Sequence, residues 1–306
     1  MLRYLLQRLA AAAVTIWIAT IAVTLLIHAV PGDPVQIMYA TFQSTPEQIE
    51  ATRVALGLDQ PIHIQYAIYV GRLLEGDLGR TIVGNQPVLD VLLARFPATL
   101  MLATASLAIA VLVGMSLGFF AALHRGTALD VGAMLIAIVG VSMPHFWLGL
   151  ILLFFFALQL GWFPVAGSDW RSLILPALTL GLANAAVLAR LTRSAMIDIF
   201  DQDFVRTAQA KGLPRALVLY RHALRAGLVP IVSLLGFQFA YLMGGAIVVE
   251  NVFAWNGVGR LAIEAVFARD YPLIQGFILF FATIVVCVSV IIDVAYAFLD
   301  PRIRYG

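Results

Sequence analysis

Phe96-Pro-Ala-Thr-Leu-Met-Leu-Ala-Thr-Ala-Ser-Leu-Ala-Ile-Ala-Val-Leu-Val-Gly-Met-Ser-Leu-Gly-Phe-Phe-Ala-Ala-Leu123 contains no Asp, Glu, Lys or Arg. A bilayer core of about 30 Å is crossed by about 20 apolar residues in a helix, so this run suffices for one span. Working outward, comparable charge-free runs occur at Leu9–Pro31, Val131–Ser168, Ser172–Ala189, Ala226–Val249 and Tyr271–Ile292. The run from Val131 exceeds one helix, and Gly161-Trp162-Phe163-Pro164 breaks it, leaving a span near Val131–Leu160. The run from Ser172 is short and extends to about Ala195, with Arg190 and Arg193 at the headgroups. The reading is an all-α polytopic membrane protein of six spans, with both termini on one side.

The whole chain agrees. Of its 306 residues 62% are hydrophobic and 12% charged, with a mean hydropathy of +0.95, whereas a soluble domain carries about 25% charge. A water-soluble globule is excluded, and so is a disordered or fibrous chain, since no low-complexity tract or short repeat occurs. The single cysteine, Cys287, allows no intrachain disulfide and no multi-cysteine metal site; inside an apolar run it reads as a small buried hydrophobe. A net charge of +2 gives no reason to expect a nucleic-acid partner.

Orientation follows from the Lys/Arg bias. With the N-terminus inside, the inner segments hold twelve of the nineteen basic residues against five acids, and the outer segments seven basic residues against eleven acids. The first apolar run has a basic flank, Arg3 and Arg8, but is too long for a signal-peptide core of about 7–15 residues. It ends in Pro31-Gly32-Asp33-Pro34 and reads as a retained anchor. The sizeable extramembrane stretch is Pro31–Arg95. Thr45-Pro46-Glu47 marks a helix start, Gly57 and Pro61 punctuate, and Gly76-Asp77-Leu78-Gly79-Arg80 reads as a turn. A small helical cap on the outer face is expected, not a large independent domain.

Ionisable groups inside spans are functional suspects by default, and few are found. His28 closes the first span. His145 follows Ser142-Met143-Pro144 and either bonds backbone freed by Pro144 or serves a function; Asp293 is an interfacial or interhelical partner, or functional. Ser142, Asn184 and Gln238 are polar at mid-span, the last flanked by Phe237 and Phe239; each is an interhelical hydrogen-bonding group or part of a substrate path. With no mid-span carboxylate, an ion-coupled mechanism has little to work with. Membrane-enzyme signatures such as His-Glu-x-x-His and Gly-x-Ser-x-Gly are absent. A P-loop needs Gly-Lys-Ser/Thr, and the single lysine, Lys211, is followed by glycine. If ATP drives this protein, another chain supplies the engine.

Ser106, Ala110, Gly114, Gly118 and Ala122 recur every four residues, a stripe that lets two backbones approach closely in lipid, within the chain or against a second membrane subunit. Between the fourth and fifth spans lies Met196–Arg225. Asp201 or Asp203 is expected to cap a helix over Phe204–Lys211, Gly212 to stop it, and Pro214 to open a second helix. Phe204, Val205 and Ala208 make an apolar edge; Arg206, Gln209 and Lys211 are polar. Such a helix-turn-helix suits a groove on a partner, or is a basic interfacial loop.

Phe204-Val-Arg-Thr-Ala-Gln-Ala-Lys-Gly-Leu213 followed by Arg221-His-Ala-Leu-Arg225 resembles the cytoplasmic loop of binding-protein-dependent ABC importer permeases, in the dipeptide/oligopeptide/nickel branch that includes glutathione permeases. Pro31-Gly-Asp-Pro34, Leu56-Gly-Leu-Asp59, Gly76-Asp-Leu-Gly79, Leu175-Pro-Ala-Leu-Thr-Leu-Gly181, Val248-Val-Glu-Asn-Val-Phe253, Trp255-Asn-Gly-Val-Gly-Arg260, Arg269-Asp-Tyr-Pro272 and Asp300-Pro-Arg-Ile-Arg304 match that branch in order. The general importer loop reads Glu-Ala-Ala-x3-Gly; here Arg206-Thr207-Ala208 and Gly212 stand in those places, as the branch commonly reads.

The resemblance implies the type I importer permease fold and a bacterial inner-membrane location. Its divisions would be an anchor helix plus extracytoplasmic region (1–95), a permease domain (96–300) and a cytoplasmic tail (301–306). It implies a coupling helix that meets a cytoplasmic ATPase through Phe204, Arg206, Thr207, Ala208, Ala210, Lys211 and Gly212. The implied partners are a second homologous permease, two ATPase subunits or domains that hold ATP and Mg, an extracytoplasmic solute-binding protein, and membrane lipid. The chain itself would bind no cofactor or metal and carry no catalytic residue. The implied function is ATP-driven import of di- or oligopeptides or glutathione by alternating access; the alternative is an ATP-independent channel or secondary transporter.

Overall fold

The computed structural model describes residues 2–29, 34–39, 45–214 and 217–299, and these fold as helices joined by short turns. Pro31-Gly32-Asp33, Asp300 and the tail 301–306 lie outside the described residues. The elements are α1 (Leu2–Ala29), α2 (Pro34–Tyr39), α3 (Pro46–Leu56), α4 (Ile62–Leu74), α5 (Val88–Ala110), α6 (Ser116–Leu123), α7 (Ala128–Ser142), α8 (His145–Leu152), α9 (Trp170–Phe200), α10 (Asp203–Ala210), α11 (Leu224–Gly245), α12 (Ile247–Val252), α13 (Val258–Ala268) and α14 (Tyr271–Leu299). Wider π turns occupy Val111–Met115, Leu153–Gln159 and Val218–Ala223.

Among the described residues four helical stretches are long and apolar enough to cross a bilayer: Leu6–Leu25, Val88–Leu123, Trp170–Phe200 and Tyr271–Ile292. A fifth candidate is bent. The run expected as one span near Val131–Leu160 instead breaks into α7 and α8, at 101° to each other. The cause is Pro144, which has no N–H to donate and clashes with the turn before it; Met143, held extended by the following proline, has φ −79° and ψ 128°. The expected break at Gly161 is also present, with helix ending by Gln159 and Gly161 at φ +63°. The run Ala226–Val249 falls on α11, apolar over Ile231–Gly244, and α12 follows directly.

The described residues within 2–98 and 256–287 form one compact unit. Its local starts follow the sequence. Thr45 caps α3, accepting from the Gln48 N–H while the Gln48 side chain accepts from the Thr45 N–H, and Gly57 ends α3 at φ +70°, a conformation cheap only for glycine. α13 buries Val258, Leu261 and Ala265 against Val88, Leu92 and Leu273. Asp270 fastens this unit from within: its carboxylate accepts the Ile82 N–H at 2.8 Å and the Leu273 N–H at 3.1 Å. Burial raises the Asp270 pKa above the usual aspartate value, partly offset by those N–H donors. Gln275 Nε2 donates to Val23 O at 3.1 Å, and Thr20 Oγ1 lies 3.0 Å from Tyr66 Oη.

The described residues within 99–255 and 288–299 form the second unit, built around α9. Most of α9 is buried, whereas the other spans bury a minority of their residues, so lipid-sized apolar side chains such as Leu112, Ile136 and Val139 stay exposed. In a bilayer such exposure is solvation rather than a defect. The small-residue stripe packs within the chain: a Cβ on Gly114 would meet Ala185 O at 2.6 Å, and one on Gly118 would strike Ala189 O and Thr192. Backbone contact this close needs glycine on one side and alanine on the other. Cys287, expected to be buried, is exposed on α14; a thiol on an apolar span needs no protein neighbour when lipid is the solvent.

Candidate functional site

α10 is a short two-faced helix at the end of α9. Asp201 closes α9, and Gln202, extended at φ −77° and ψ 148°, occupies the N-cap of α10 without a side-chain cap. The expected cap by Asp201 or Asp203 is therefore not made. One residue too early, Asp201 still belongs to α9; Asp203 is already helical, and its backbone oxygen accepts from Thr207 Oγ1 at 2.8 Å. Gly212 stops the helix at φ +75°.

Val205 and Ala208 are buried, packed with Met196, Ile199, Val218, Ala223 and Ala122. The opposite face carries Phe204, Arg206, Thr207, Gln209 and Ala210, followed by Lys211 and Gly212, all exposed. Of the seven residues expected to couple, the structure therefore turns Ala208 inward onto its own chain and leaves six outside. The side chains of Arg221, His222 and Arg225 lie outside the described residues.

Two ion pairs tie the α6–α7 turn to the base of this helix. Arg193 Nε and Nη2 donate to Asp130 Oδ1 and Oδ2 at 2.5 and 2.7 Å, and the Gly126 N–H donates to Asp130 Oδ2 at 3.0 Å. Arg125 reaches Asp201 at 3.0 Å, both exposed, so that second pair contributes little to stability by itself.

Elsewhere in the same unit, an open cavity of about 270 Å³ is lined by His145, Asn184, Gln238, Tyr241 and apolar side chains. Asn184 and Gln238, expected on a substrate path, come together here. Gln238 Nε2 donates to Asn184 O at 3.1 Å, and Asn184 Nδ2 donates to Leu180 O at 2.8 Å, so the interhelical hydrogen bond is made too. Ser142 does not join them; it is exposed and donates to Ile138 O at 2.9 Å. His145 starts α8 at the cavity and makes no hydrogen bond to a described residue, leaving the expected bond to backbone freed by Pro144 unmade. Asp293's side chain lies outside the described residues.

Glu250, one residue beyond the charge-free run Ala226–Val249, is fully buried and accepts from Thr99 Oγ1 at 2.7 Å. Its neighbours Val248-Val249 and Val252-Phe253 were the available signal. No group of three His, Cys, Asp or Glu residues able to hold a metal occurs among the described residues.

Residues 114–305 match the family of binding-protein-dependent transport system inner membrane components, and residues 1–103 match that system's N-terminal membrane component. The chain is 43% identical over 306 residues, the full length of both, to the glutathione transport system permease protein GsiC of Escherichia coli O6:H1 (strain CFT073). It is 42% identical, again end to end, to GsiC of Salmonella typhi. Among solved structures it resembles the inward-facing MetNI methionine ABC transporter, with TM-score 0.61 and 16% identity over 69% of this chain and 97% of that one. An amino acid ABC transporter with histidines matches at TM-score 0.54 and 17% identity over 68% and 94%. At such identities the likeness speaks for the fold. The chain belongs to the binding-protein-dependent transport system inner membrane components and is a permease subunit of an ABC importer.

Proposed function

We propose that this permease imports glutathione or short peptides, as one half of a two-permease core driven by two ATPase subunits and fed by an extracytoplasmic binding protein. The observation that carries the reading is the two-faced helix α10. Val205 and Ala208 seat it on its own bundle, and its outer face, with Phe204, Arg206, Thr207, Ala210, Lys211 and Gly212, is left for a partner. A helix held rigidly from one side can pass a push from the other side into α9, its covalent neighbour. The peptide class is supported by end-to-end identity of 43% to a permease named for glutathione.

In this reading the chain crosses the membrane six times with both termini inside. Residues 1–95 form the anchor and extracytoplasmic region, 96–300 the permease domain and 301–306 the tail. ATP and Mg belong to the ATPase subunits; this chain binds no cofactor and does no chemistry of its own. The test is uptake of radiolabelled glutathione and of a dipeptide by proteoliposomes holding the full complex. ATP-dependent accumulation of either supports the reading, and accumulation of neither by a complex that hydrolyses ATP contradicts it.

A further inference from the structure

We propose that the cavity lined by His145, Asn184 and Gln238 is a contact site for a peptide group of the passing solute, with a solute N–H donating to Gln238 Oε1 and a solute carbonyl accepting from His145. This rests on the peptide-import reading above.

The argument starts at Gln238. It is 4% exposed, and its Nε2 is committed to Asn184 O, which fixes the amide's orientation: the end left over is an acceptor. That acceptor, Oε1, is one of three buried side-chain polar atoms without a partner among the described residues. A buried polar atom without a partner is uncommon in a folded protein and calls for an explanation, and this one belongs to a residue that lines open space. Across the same space, His145 keeps its ring nitrogens free of other described residues, so a neutral imidazole presents one N–H donor and one acceptor.

The lining decides the ligand class. Among the described residues no Asp, Glu, Lys or Arg lines the cavity, so its described wall offers a charged group no counter-ion, whereas a neutral amide satisfies both polar positions at once. Val187, Leu234 and Phe237 supply apolar wall. At about 270 Å³ the space lies just under the range of about 300–1,000 Å³ that encloses a drug-sized ligand, and it takes one or two residues of a peptide at a time. A weak, partial site suits a passage that must release what it receives.

The test uses the complete importer with its ATPases and binding protein in proteoliposomes. Phe237, 69% exposed at the rim, is replaced by p-benzoylphenylalanine, and the complex is irradiated during turnover with radiolabelled glutathione. Ile136, 67% exposed on α7 away from the cavity, is the control position. The proposal expects a labelled adduct at 237 and none at 136. Gln238→Leu should cut both that adduct and the maximal uptake rate about tenfold, a loss of about 1.4 kcal/mol, while half-saturation, governed by the binding protein, moves less than twofold. No adduct at 237, adducts only with lipid or the second permease, or unchanged labelling and rate in Gln238→Leu would each overturn it. If Gln238→Leu fails to assemble, the labelling at 237 beside native Gln238 decides alone. Failure of the unmodified importer to take up any peptide sinks the peptide-import reading instead, so the two failures are distinguishable.

Discussion

Asp130 and Arg193 meet as a two-point ion pair between α7 and α9, with Asp130 almost fully buried and Arg193 partly exposed. Two parallel N–H···O bonds fix both the distance and the relative rotation of the helices. The pair holds the start of α7 to the stretch of α9 that leads into α10, so the helix seated on Val205 and Ala208 and the helix that bends at Pro144 share one anchor.

Removing one partner leaves the other uncompensated. Arg193→Met should destabilise the protein by about 3 kcal/mol, within the range for breaking buried pairs, read as a lower unfolding temperature of the detergent-purified complex. Asp130→Asn, which keeps an acceptor for the Gly126 N–H and buries no charge, should cost less. Equal unfolding temperatures for wild type and Arg193→Met would count against the anchor.

The small-residue stripe makes a sharper steric prediction. Gly114→Ala places a methyl 2.6 Å from Ala185 O, and overpacking of this kind costs about 1–3 kcal/mol. Gly132→Ala, with nothing within 4 Å of the new atom, should be neutral or slightly stabilising. Expression and thermal stability of the two variants give the comparison; indistinguishable behaviour would mean that α5–α6 and α9 are not in backbone contact.

On α10 the two faces should fail differently. Ala208→Arg forces a charge into the Met196–Ile199–Val218 cluster and should unseat the helix, abolishing uptake and lowering stability. Gly212→Pro cannot adopt φ +75° and should also abolish uptake with membrane insertion intact. Arg206→Ala on the exposed face should leave stability within about 0.5 kcal/mol and act only on coupling, read as ATP hydrolysis without matching solute uptake. Normal transport in all three would remove α10 from the power path.

Asp270 sets a pH dependence in the unit it fastens. Its folded pKa is raised, chiefly by burial, so the folded state holds the proton more tightly than the unfolded chain. From the ordinary value of 3.8 up to the raised folded value, stability therefore falls as pH rises, then levels off. Asp270→Asn should remove that slope. Protease resistance of the Arg80–Pro87 turn, measured from about pH 4 to 7, checks it; an unchanged slope in the variant would assign it to another group.

Much of this architecture was legible in the chain because charge-free length is a strong signal. The Thr45 cap, the Gly57 and Gly212 stops and the apolar runs all stand where local chemistry puts them. What escaped was tertiary. Pro144 was read as a mid-span residue, since hydropathy is blind to a 101° turn. Asp130, Glu250 and Asp270 each sit one residue outside a charge-free run, yet all three are buried against partners 63, 151 and 188 residues away in sequence. Of the apolar edge Phe204, Val205 and Ala208, the chain covers Val205 and Ala208 and leaves Phe204 exposed, because helical spacing gives two faces without saying how far the rest of the chain reaches over them. Gln238 and Asn184 were singled out by polarity alone; the cavity that joins them to His145 and Tyr241 required coordinates.

The central claim is that this subunit is a gate moved from outside itself, through α10. Solute uptake by proteoliposomes containing the complete complex, compared with the same preparation lacking only the ATPase subunits, tests it most directly. The account predicts ATP-dependent accumulation in the first and none above a protein-free control in the second. Accumulation against a gradient by the permeases without their ATPases would contradict it.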